Sequence, residues 1–215
     1  MSHKPIKKGD QNKAWSRYRP KPTRSINTKS ERETFLIVCE GKRTEPSYFN
    51  AFRLTSATVR TEGLGMNTLS LVNRCIALVN QHRGRGDSYD QVWCVFDRDS
   101  FPPQDFNQAI ILAEANNIRV AWSNEAFELW YVLHFGLLQT ACNRHQYIDQ
   151  LNKHLGKAYA KNDPNMYTLL LQRQADAIHN AEQLMQHWQG LAAAPANQCP
   201  NTRVHELVQE LNRFL

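Results

Sequence analysis

Two short apolar runs predict buried strands, and each is followed directly by acidic residues. Residues 34–39 (TFLIVC) are rich in aromatic and β-branched side chains, and Glu40-Gly41 follows them, which is typical of a strand that ends in a turn. Residues 91–96 (QVWCVF) form the second run, and Asp97-Arg98-Asp99 follows it. Weaker strand patterns occur at two further places, 57–62 and 118–122.

Helical patterns separate these strands. Glu45-Pro46-Ser47 is typical of a helix start, and apolar residues at three- and four-residue steps predict further helices at 67–82 and 104–117. Because strands and helices alternate with short connections, the pattern predicts an α/β fold with a mainly parallel sheet flanked by helices. Beyond the fourth strand only helical patterns occur, at 125–136, 143–155, 166–189 and 203–214. We therefore expect an α/β domain over 34–135 and a helical C-terminal region, 136–215, packed on it.

Positive charge is concentrated at the N-terminus. The 215-residue chain has a net charge of +6, and residues 1–34 contribute ten Lys and Arg against three acids, so the rest of the chain is close to neutral. Residues 1–33 have few apolar side chains to bury, and we expect a disordered basic arm there. Arg17 and Arg19 in this arm are candidate contacts to nucleic-acid phosphates, with a merely solubilising leader as the alternative.

Composition disfavours several classes of protein. No apolar run reaches the about 18 residues of a membrane span, and the N-terminus lacks the apolar core of a signal peptide. The five cysteines are widely spaced and form no Cys-x-x-Cys pair, which argues against a disulfide framework and a zinc ribbon. We therefore expect a cytoplasmic protein with no membrane partner.

The acidic strand ends predict a metal site. Ligands of open α/β sheets bind at the carboxyl ends of the strands, where Glu40 would lie opposite Asp97 and Asp99. Like charges on one short loop repel each other unless a cation lies between them. Mg²⁺ is typically bound by carboxylates and by phosphate oxygens of the substrate, and Mn²⁺ can replace it. The alternative is that these acids only cap a helix or face solvent.

Four sequence blocks resemble known families. Glu40-Gly41 and the later Asp97-Arg98-Asp99 resemble the Toprim domain of topoisomerases, bacterial primases and overcoming-lysogenisation-defect nucleases. Haloacid-dehalogenase-type phosphatases share the Asp-x-Asp but need a later acidic pair that is missing here. From about residue 35 to the C-terminus the chain resembles the RloB family of Toprim-like proteins, through LIVCEGKRTEPSYF, YDQVWCVFDRD, SNEAFELWYVLHF and NTRVHELVQEL. It departs from the family at Glu125-Ala126, where proline and a small residue are common.

The resemblance implies a metal-dependent nuclease, or a nuclease-like effector, of bacterial anti-phage defence that is often encoded beside an ATPase. It implies that Glu40, Asp97 and Asp99 are catalytic and bind the metal, and it adds two further acidic ligands, Glu45 and Glu128. Whether one or two ions bind stays open. An ABC-type ATPase is the expected partner.

We expect the activity to be cleavage of phosphodiester bonds in RNA, tRNA included, or in DNA. Lys42 and Arg43 follow the first strand and are candidate phosphate contacts, with ordinary solvated charge as the equal alternative. We expect His134 to be a packed or interfacial residue, with a catalytic acid as the alternative, and the role of His205 is open. The alternative function is a non-catalytic Toprim-like subunit that binds nucleic acid or acts as a sensor in an ATPase complex. A homo-oligomer is compatible with either.

Overall fold

A central sheet organises the fold. The computed structural model describes residues 32–99 and 101–215, which form a five-stranded sheet and eight α-helices. The strands are β1 (Glu33–Cys39), β2 (Ala57–Gly63), β3 (Gln91–Asp97), β4 (Arg119–Asn124) and β5 (Asn201–Thr202). The helices are α1 (Thr44–Asn50), α2 (Thr68–Gly84), α3 (Pro103–Ala115), α4 (Glu128–Val132), α5 (Arg144–Leu155), α6 (Met166–Leu170), α7 (Gln174–Gly190) and α8 (Val204–Asn212).

The strand order is β2-β1-β3-β4-β5, and the first four of these strands run parallel. The predicted α/β class and mainly parallel sheet are confirmed. β1 and β3 are direct neighbours, with Cys39 opposite Val95. The carboxyl ends of the four parallel strands therefore lie at one edge of the sheet, and the residues that follow β1 and β3 come next to each other.

Side-chain alternation along the strands builds a hydrophobic core on each face of the sheet. In β1, Phe35, Ile37 and Cys39 face one core, whereas Leu36 and Val38 face the other. The first core includes α1 and all helices from α4 to α8, and the second includes α2 and α3. Because both faces are covered, the central strands are apolar at successive positions, which explains the continuous runs in the sequence.

The C-terminal region contains a strand that the sequence did not predict. β5 pairs antiparallel with β4 through Ser123 and Thr202, whose hydroxyl groups lie 2.9 Å apart. The Thr202 hydroxyl also donates to the carbonyl oxygen of Trp122 at 3.1 Å. In addition, the helix predicted over 166–189 is divided by a 3₁₀ turn at Leu171–Arg173. A two-residue strand is too short to produce a periodic pattern.

Two sequence predictions concern the basic arm and the absence of a membrane span. The predicted basic arm, with Arg17 and Arg19, lies outside the described residues and stays a prediction. Within residues 32–99 and 101–215, no helix combines the length and apolar character needed to cross a membrane.

Candidate metal centre

Glu40 and Asp97 meet at the carboxyl edge of the sheet. The backbone N–H of Asp97 donates a hydrogen bond to Oε2 of Glu40 at 3.1 Å. The backbone N–H of Glu40 in turn donates to the carbonyl oxygen of Val95 at 2.8 Å, which continues the pairing of β1 with β3. Glu40 and Asp97 therefore lie side by side, as the sequence predicted, because β1 pairs directly with β3.

Glu45 points back from α1 toward the end of β1. Its side chain is almost completely buried, and Oε2 has no hydrogen-bond partner among the described residues. A Cβ placed on Gly41 would lie 2.0 Å from that oxygen. The glycine after the first strand thus allows a carboxylate to lie directly against the backbone.

Glu128 comes to the same edge from α4, of which it is the first residue. It is 5% exposed, and its Oε1 accepts a hydrogen bond from the Tyr159 hydroxyl at 3.2 Å. The segment that leads into this helix contains a cis peptide bond between Asn124 and Glu125, at the place where the sequence departs from the family pattern. The neighbouring backbone N–H of Phe127 lowers the pKa of Asp97, against the larger effect of burial.

Asp99 lies on the turn after β3 with a left-handed backbone (φ 41°). Its backbone N–H donates to the carbonyl oxygen of Glu125 at 3.2 Å, which ties the turn to the end of β4. Its Oδ1 lies 2.6 Å from Nη2 of Arg144, the first residue of α5. The second acid of the Asp-x-Asp motif is therefore paired with a cation of the C-terminal region.

Burial and the repulsion between neighbouring carboxylates raise the pKa values of three acids at this edge, Glu40, Asp97 and Glu45. Burial, followed by the charges of Glu45 and Asp99, raises the pKa of Glu40 from 4.5 to about 7, although its hydrogen bond from Asp97 and the charge of Arg144 act in the opposite direction. Burial and the charges of Glu45, Glu128 and Glu40 hold the pKa of Asp97 well above its usual range. Burial and the charge of Glu128 likewise raise the pKa of Glu45. The carboxylates therefore repel one another in surroundings where little water is present to screen their charges.

The chemistry of these side chains fits a hard divalent cation. Carboxylate oxygens are the donors that Mg²⁺ and Mn²⁺ prefer, and the buried Oε2 of Glu45 lacks any other partner in the described part of the chain. Within residues 32–99 and 101–215, no three His, Cys, Asp or Glu side chains already stand in a metal-ligand arrangement. The donor set is therefore suitable, and side-chain rotations would have to complete the coordination.

The C-terminal region covers part of this edge with the loop between α5 and α6. Besides Tyr159, this loop carries Asn162, whose Oδ1 accepts from the Thr44 hydroxyl at the start of α1 at 2.8 Å. Lys161 between them lowers the pKa of Glu45 through its charge, against the larger effect of burial. A tyrosine and a lysine from one loop thus act on two different acids of the cluster.

Lys42 and Arg43 lie exposed on the loop between β1 and α1, next to Glu40. Lys42 packs its aliphatic part near Gly65, where a Cβ would lie 2.5 Å from the lysine Cε. The position of these two residues beside the acids is compatible with a phosphate contact, which stays a prediction.

His134 and His205 are both buried in the protein interior. His134 is buried against the Trp130 ring, and its Nδ1 lies 2.9 Å from the Trp130 carbonyl oxygen. Burial lowers the pKa of His134 to about 4, so it is neutral at physiological pH. His205 is also buried, and its Nδ1 lies 3.1 Å from the carbonyl oxygen of Thr202. The packed position expected for His134 is confirmed.

Sequence reasoning missed the polar residues that the C-terminal region adds to the site. Arg144, Tyr159 and Lys161 lie 45 or more positions after Asp99 in segments that showed only helical or loop patterns. No spacing rule connects them with the acids, because packing of α5 and its following loop brings them there.

A comparison with protein families gives one match. A family model described as RloB-like protein matches residues 35–211, which is most of the chain. No curated protein and no solved structure matches the sequence.

Proposed function

The chain belongs to the RloB-like family, and we propose that it is a Mg²⁺-dependent nuclease that cleaves phosphodiester bonds. One observation carries the proposal: acids from the ends of β1 and β3 and from two helices share one edge of the sheet, where burial and neighbouring charges raise the pKa values of Glu40, Asp97 and Glu45. A folded protein tolerates such repulsion where function requires it, because unpaired buried carboxylates destabilise the metal-free state.

The acids have different roles in this proposal. Glu40, Asp97 and Asp99 hold the catalytic ion, and Glu45 and Glu128 complete the coordination or hold a second one. A bound Mg²⁺ or Mn²⁺ would stabilise negative charge on the phosphoryl oxygens and favour ionisation of water. Alternatively, Glu40 serves as the general base instead of a ligand, because its pKa of about 7 in the metal-free protein suits a carboxylate that accepts a proton near neutral pH.

Basic residues outside the acidic cluster would bind the nucleic acid. Lys42 and Arg43 are exposed next to Glu40, where the phosphates on either side of the scissile bond would lie. Arg17 and Arg19 of the basic arm would add contacts farther along the strand. RNA, tRNA included, is the preferred substrate class and DNA is the second, by analogy with the family.

Family membership also supports a cellular role. We propose that the protein acts in the cytoplasm as an effector of anti-phage defence, together with an ABC-type ATPase. Either a monomer or a homo-oligomer is compatible with this role. The discriminating observation is a neighbouring gene for such an ATPase and co-purification of the two products.

Cleavage of labelled nucleic acid tests the proposed activity. Purified protein is incubated with 5′-labelled RNA and DNA in Mg²⁺, in Mn²⁺ or in EDTA, and the products are separated by size. We expect cleavage only with a divalent ion and its loss in Asp97→Asn and Glu40→Gln. Glu114→Gln is the matched control, because Glu114 is exposed near the end of α3, close to the amino ends of the strands.

Two outcomes would contradict the nuclease. Full cleavage in Asp97→Asn would assign the activity to other residues or to a contaminant. Metal-independent nucleic-acid binding without any cleavage would instead favour the non-catalytic binding or sensor subunit.

A further inference from the structure

Arg144 makes direct contact with one of the proposed metal ligands. Its Nη2 lies 2.6 Å from Oδ1 of Asp99, and the two side chains are 37% and 33% exposed. The ion pair therefore lies at the solvent side of the acidic cluster, where a substrate could reach it. A guanidinium has five N–H donors in a planar fork, which suits it to contact carboxylate and phosphate oxygens.

The backbone that carries Arg144 is held firmly. Asn143 and Gln146 form a reciprocal capping box at the start of α5, with bonds of 3.0 Å and 2.8 Å. One turn away, the fully buried Tyr147 donates its hydroxyl to the carbonyl oxygen of Asn124 at 3.1 Å, at the end of β4. Because α5 is fixed at both points, the guanidinium can change partners only by rotation of its own side chain.

Arg144 and a divalent cation would compete for the same carboxylate. The guanidinium occupies Oδ1 of Asp99, and its charge lowers the pKa of Glu40 as well. Arg144 thus neutralises part of the cluster in the metal-free protein. If Asp99 ligates an ion, this neutralisation becomes redundant, and two positive groups would repel each other across one short side chain.

We propose that Arg144 is the counter-ion of Asp99 in the metal-free site and the phosphate-binding residue of the loaded site. Once Asp99 ligates a divalent cation, Arg144 turns away from it and forms a bidentate contact with the phosphodiester beside the ion, as guanidinium groups do with phosphates. This inference rests on the proposed function, because it requires an ion and a phosphodiester at this site.

The position of a second cation agrees with this assignment. Lys161 lowers the pKa of Glu45, and the side chain of the next residue, Asn162, accepts a hydrogen bond from Thr44. The C-terminal region therefore supplies one cation near Asp99 and another near Glu45. A nucleic-acid strand across the acids would have phosphates within reach of both.

Titration with Mn²⁺ alone tests the first half of the proposal. Isothermal titration calorimetry compares the wild-type protein with Arg144→Gln, Arg144→Lys and Arg213→Gln. Removal of the competing charge should lower the Kd for Mn²⁺ about fivefold in Arg144→Gln, since a partly exposed charge pair contributes modestly. Arg144→Lys retains the charge and should bind like the wild type.

Arg213→Gln is the matched control. Arg213 forms an ion pair of the same kind with Glu210 at 3.0 Å, near the amino ends of the strands and away from the acids, so its loss should leave the Kd unchanged. A merely structural Arg144 would give a lower melting temperature and an unchanged or weaker Kd. That result would overturn the proposal, whereas tighter Mn²⁺ binding cannot come from local unfolding.

Binding of a fluorescent single-stranded RNA tests the second half. Fluorescence anisotropy is measured in Ca²⁺, which replaces the catalytic ion without supporting rapid cleavage, and again in EDTA. We expect Arg144→Gln to bind about tenfold more weakly than the wild type in Ca²⁺ and nearly equally in EDTA, because Asp99 retains Arg144 when no ion is present. Equal losses in both conditions would show an ordinary surface contact and would refute the exchange.

The wild-type titration separates the failure of this inference from failure of the proposed function. If the wild type binds no Mn²⁺, the proposed metal site fails and the role of Arg144 fails with it. If the wild type binds Mn²⁺ and Glu45→Gln weakens that binding while Arg144→Gln does not change it, the site stands and the role of Arg144 is wrong. Arg144→Lys provides the second variant should Arg144→Gln not fold, since it should weaken RNA binding in Ca²⁺ while keeping the Kd for Mn²⁺.

Discussion

A Cβ on Gly41 would lie 2.0 Å from Oε2 of Glu45, which is well inside any permitted contact. The backbone of Gly41 is not in the left-handed region, so its conformation does not require a glycine. What the position requires is the absence of a side chain, because a buried carboxylate occupies that space. The pair Glu40-Gly41 therefore contributes one ligand directly and makes room for another.

Gly41→Ala should displace the Glu45 carboxylate while the protein stays folded. The added methyl group forces the side chain of Glu45 to rotate, which removes a proposed ligand, and we expect the Kd for Mn²⁺ to rise about tenfold. Isothermal titration calorimetry measures it. Gly84→Ala is the control, because a Cβ on Gly84, the last residue of α2, meets nothing within 4 Å. Equal Mn²⁺ affinity in Gly41→Ala would exclude Glu45 from the site.

Glu45→Gln should stabilise the metal-free protein. The amide has nearly the shape of the carboxylate but removes a buried charge that repels Glu128, so unfolding in EDTA at neutral pH should cost about 1 kcal/mol more. In saturating Mn²⁺ the order should reverse, because the variant gains less from the ion. Thermal melts with and without Mn²⁺ measure both effects. A variant less stable than wild type in EDTA would argue that the Glu45 charge is compensated.

Stability of the metal-free protein should fall as the pH rises through neutrality. The pKa of folded Glu40 is about 7 and its ordinary value is 4.5, so folding favours the protonated carboxyl. This contribution is complete below the ordinary pKa and is lost as the pH rises through about 7. It amounts to at most about 3.5 kcal/mol, because one pKa unit corresponds to about 1.4 kcal/mol.

Urea unfolding in EDTA between about pH 5 and about pH 8 measures this dependence. Glu40→Gln removes the titrating group, and its free energy of unfolding should change less over the same range. The remaining slope belongs to Asp97 and Glu45, whose pKa values are shifted in the same direction. Parallel curves for wild type and Glu40→Gln would contradict the raised pKa.

Leu211→Ala should destabilise the protein without changing the metal dependence of cleavage. Leu211 on α8 is fully buried in the core that α8 shares with α7 and β1, and such a truncation costs about 2–5 kcal/mol. Differential scanning calorimetry should show a lower melting temperature. Leu191→Ala removes the same atoms from a side chain that is 59% exposed and should melt close to wild type. An unchanged melt with lost activity would instead assign α8 to an interface.

Replacement of Arg17 and Arg19 by Gln should reduce the salt dependence of nucleic-acid binding. Each phosphate contact to a single strand contributes about 0.7 to the slope of log affinity against log salt, so the double variant should lose about 1.4. Anisotropy with a labelled RNA at several salt concentrations measures the slope. An identical slope would reduce the arm to a solubilising leader.

The sequence predicted the parts of the site that depend on strand ends. Glu40 and Asp97 come directly after apolar runs that predict buried strands, and parallel pairing of these strands then brings the two acids together. Glu45 and Glu128 were assigned through the family resemblance, since a carboxylate on a helix carries no local signal of the direction it faces. Both side chains are buried in the structure, and their role as metal ligands stays a prediction.

Contacts between distant segments were not predictable from local patterns. Arg144 reaches Asp99 because Tyr147 fixes α5 to the end of β4, and that hydrogen bond is made to a backbone atom. Gly41 was interpreted as part of a turn, although its importance comes from the later Glu45 side chain. β5 was missed because two residues cannot show alternation.

The strand order determines how late in synthesis of the chain the acidic residues can come together. Glu40 accepts its hydrogen bond from Asp97, which lies 57 positions later in the chain, and Glu128 accepts one from Tyr159, which lies 31 positions after Glu128. During synthesis on the ribosome, the segment with Glu40 emerges long before its partners, and a fragment that stops short of α5 lacks Arg144 and Tyr159 altogether. The acids therefore come together only when most of the polypeptide has been made, so an incomplete chain lacks the proposed metal site.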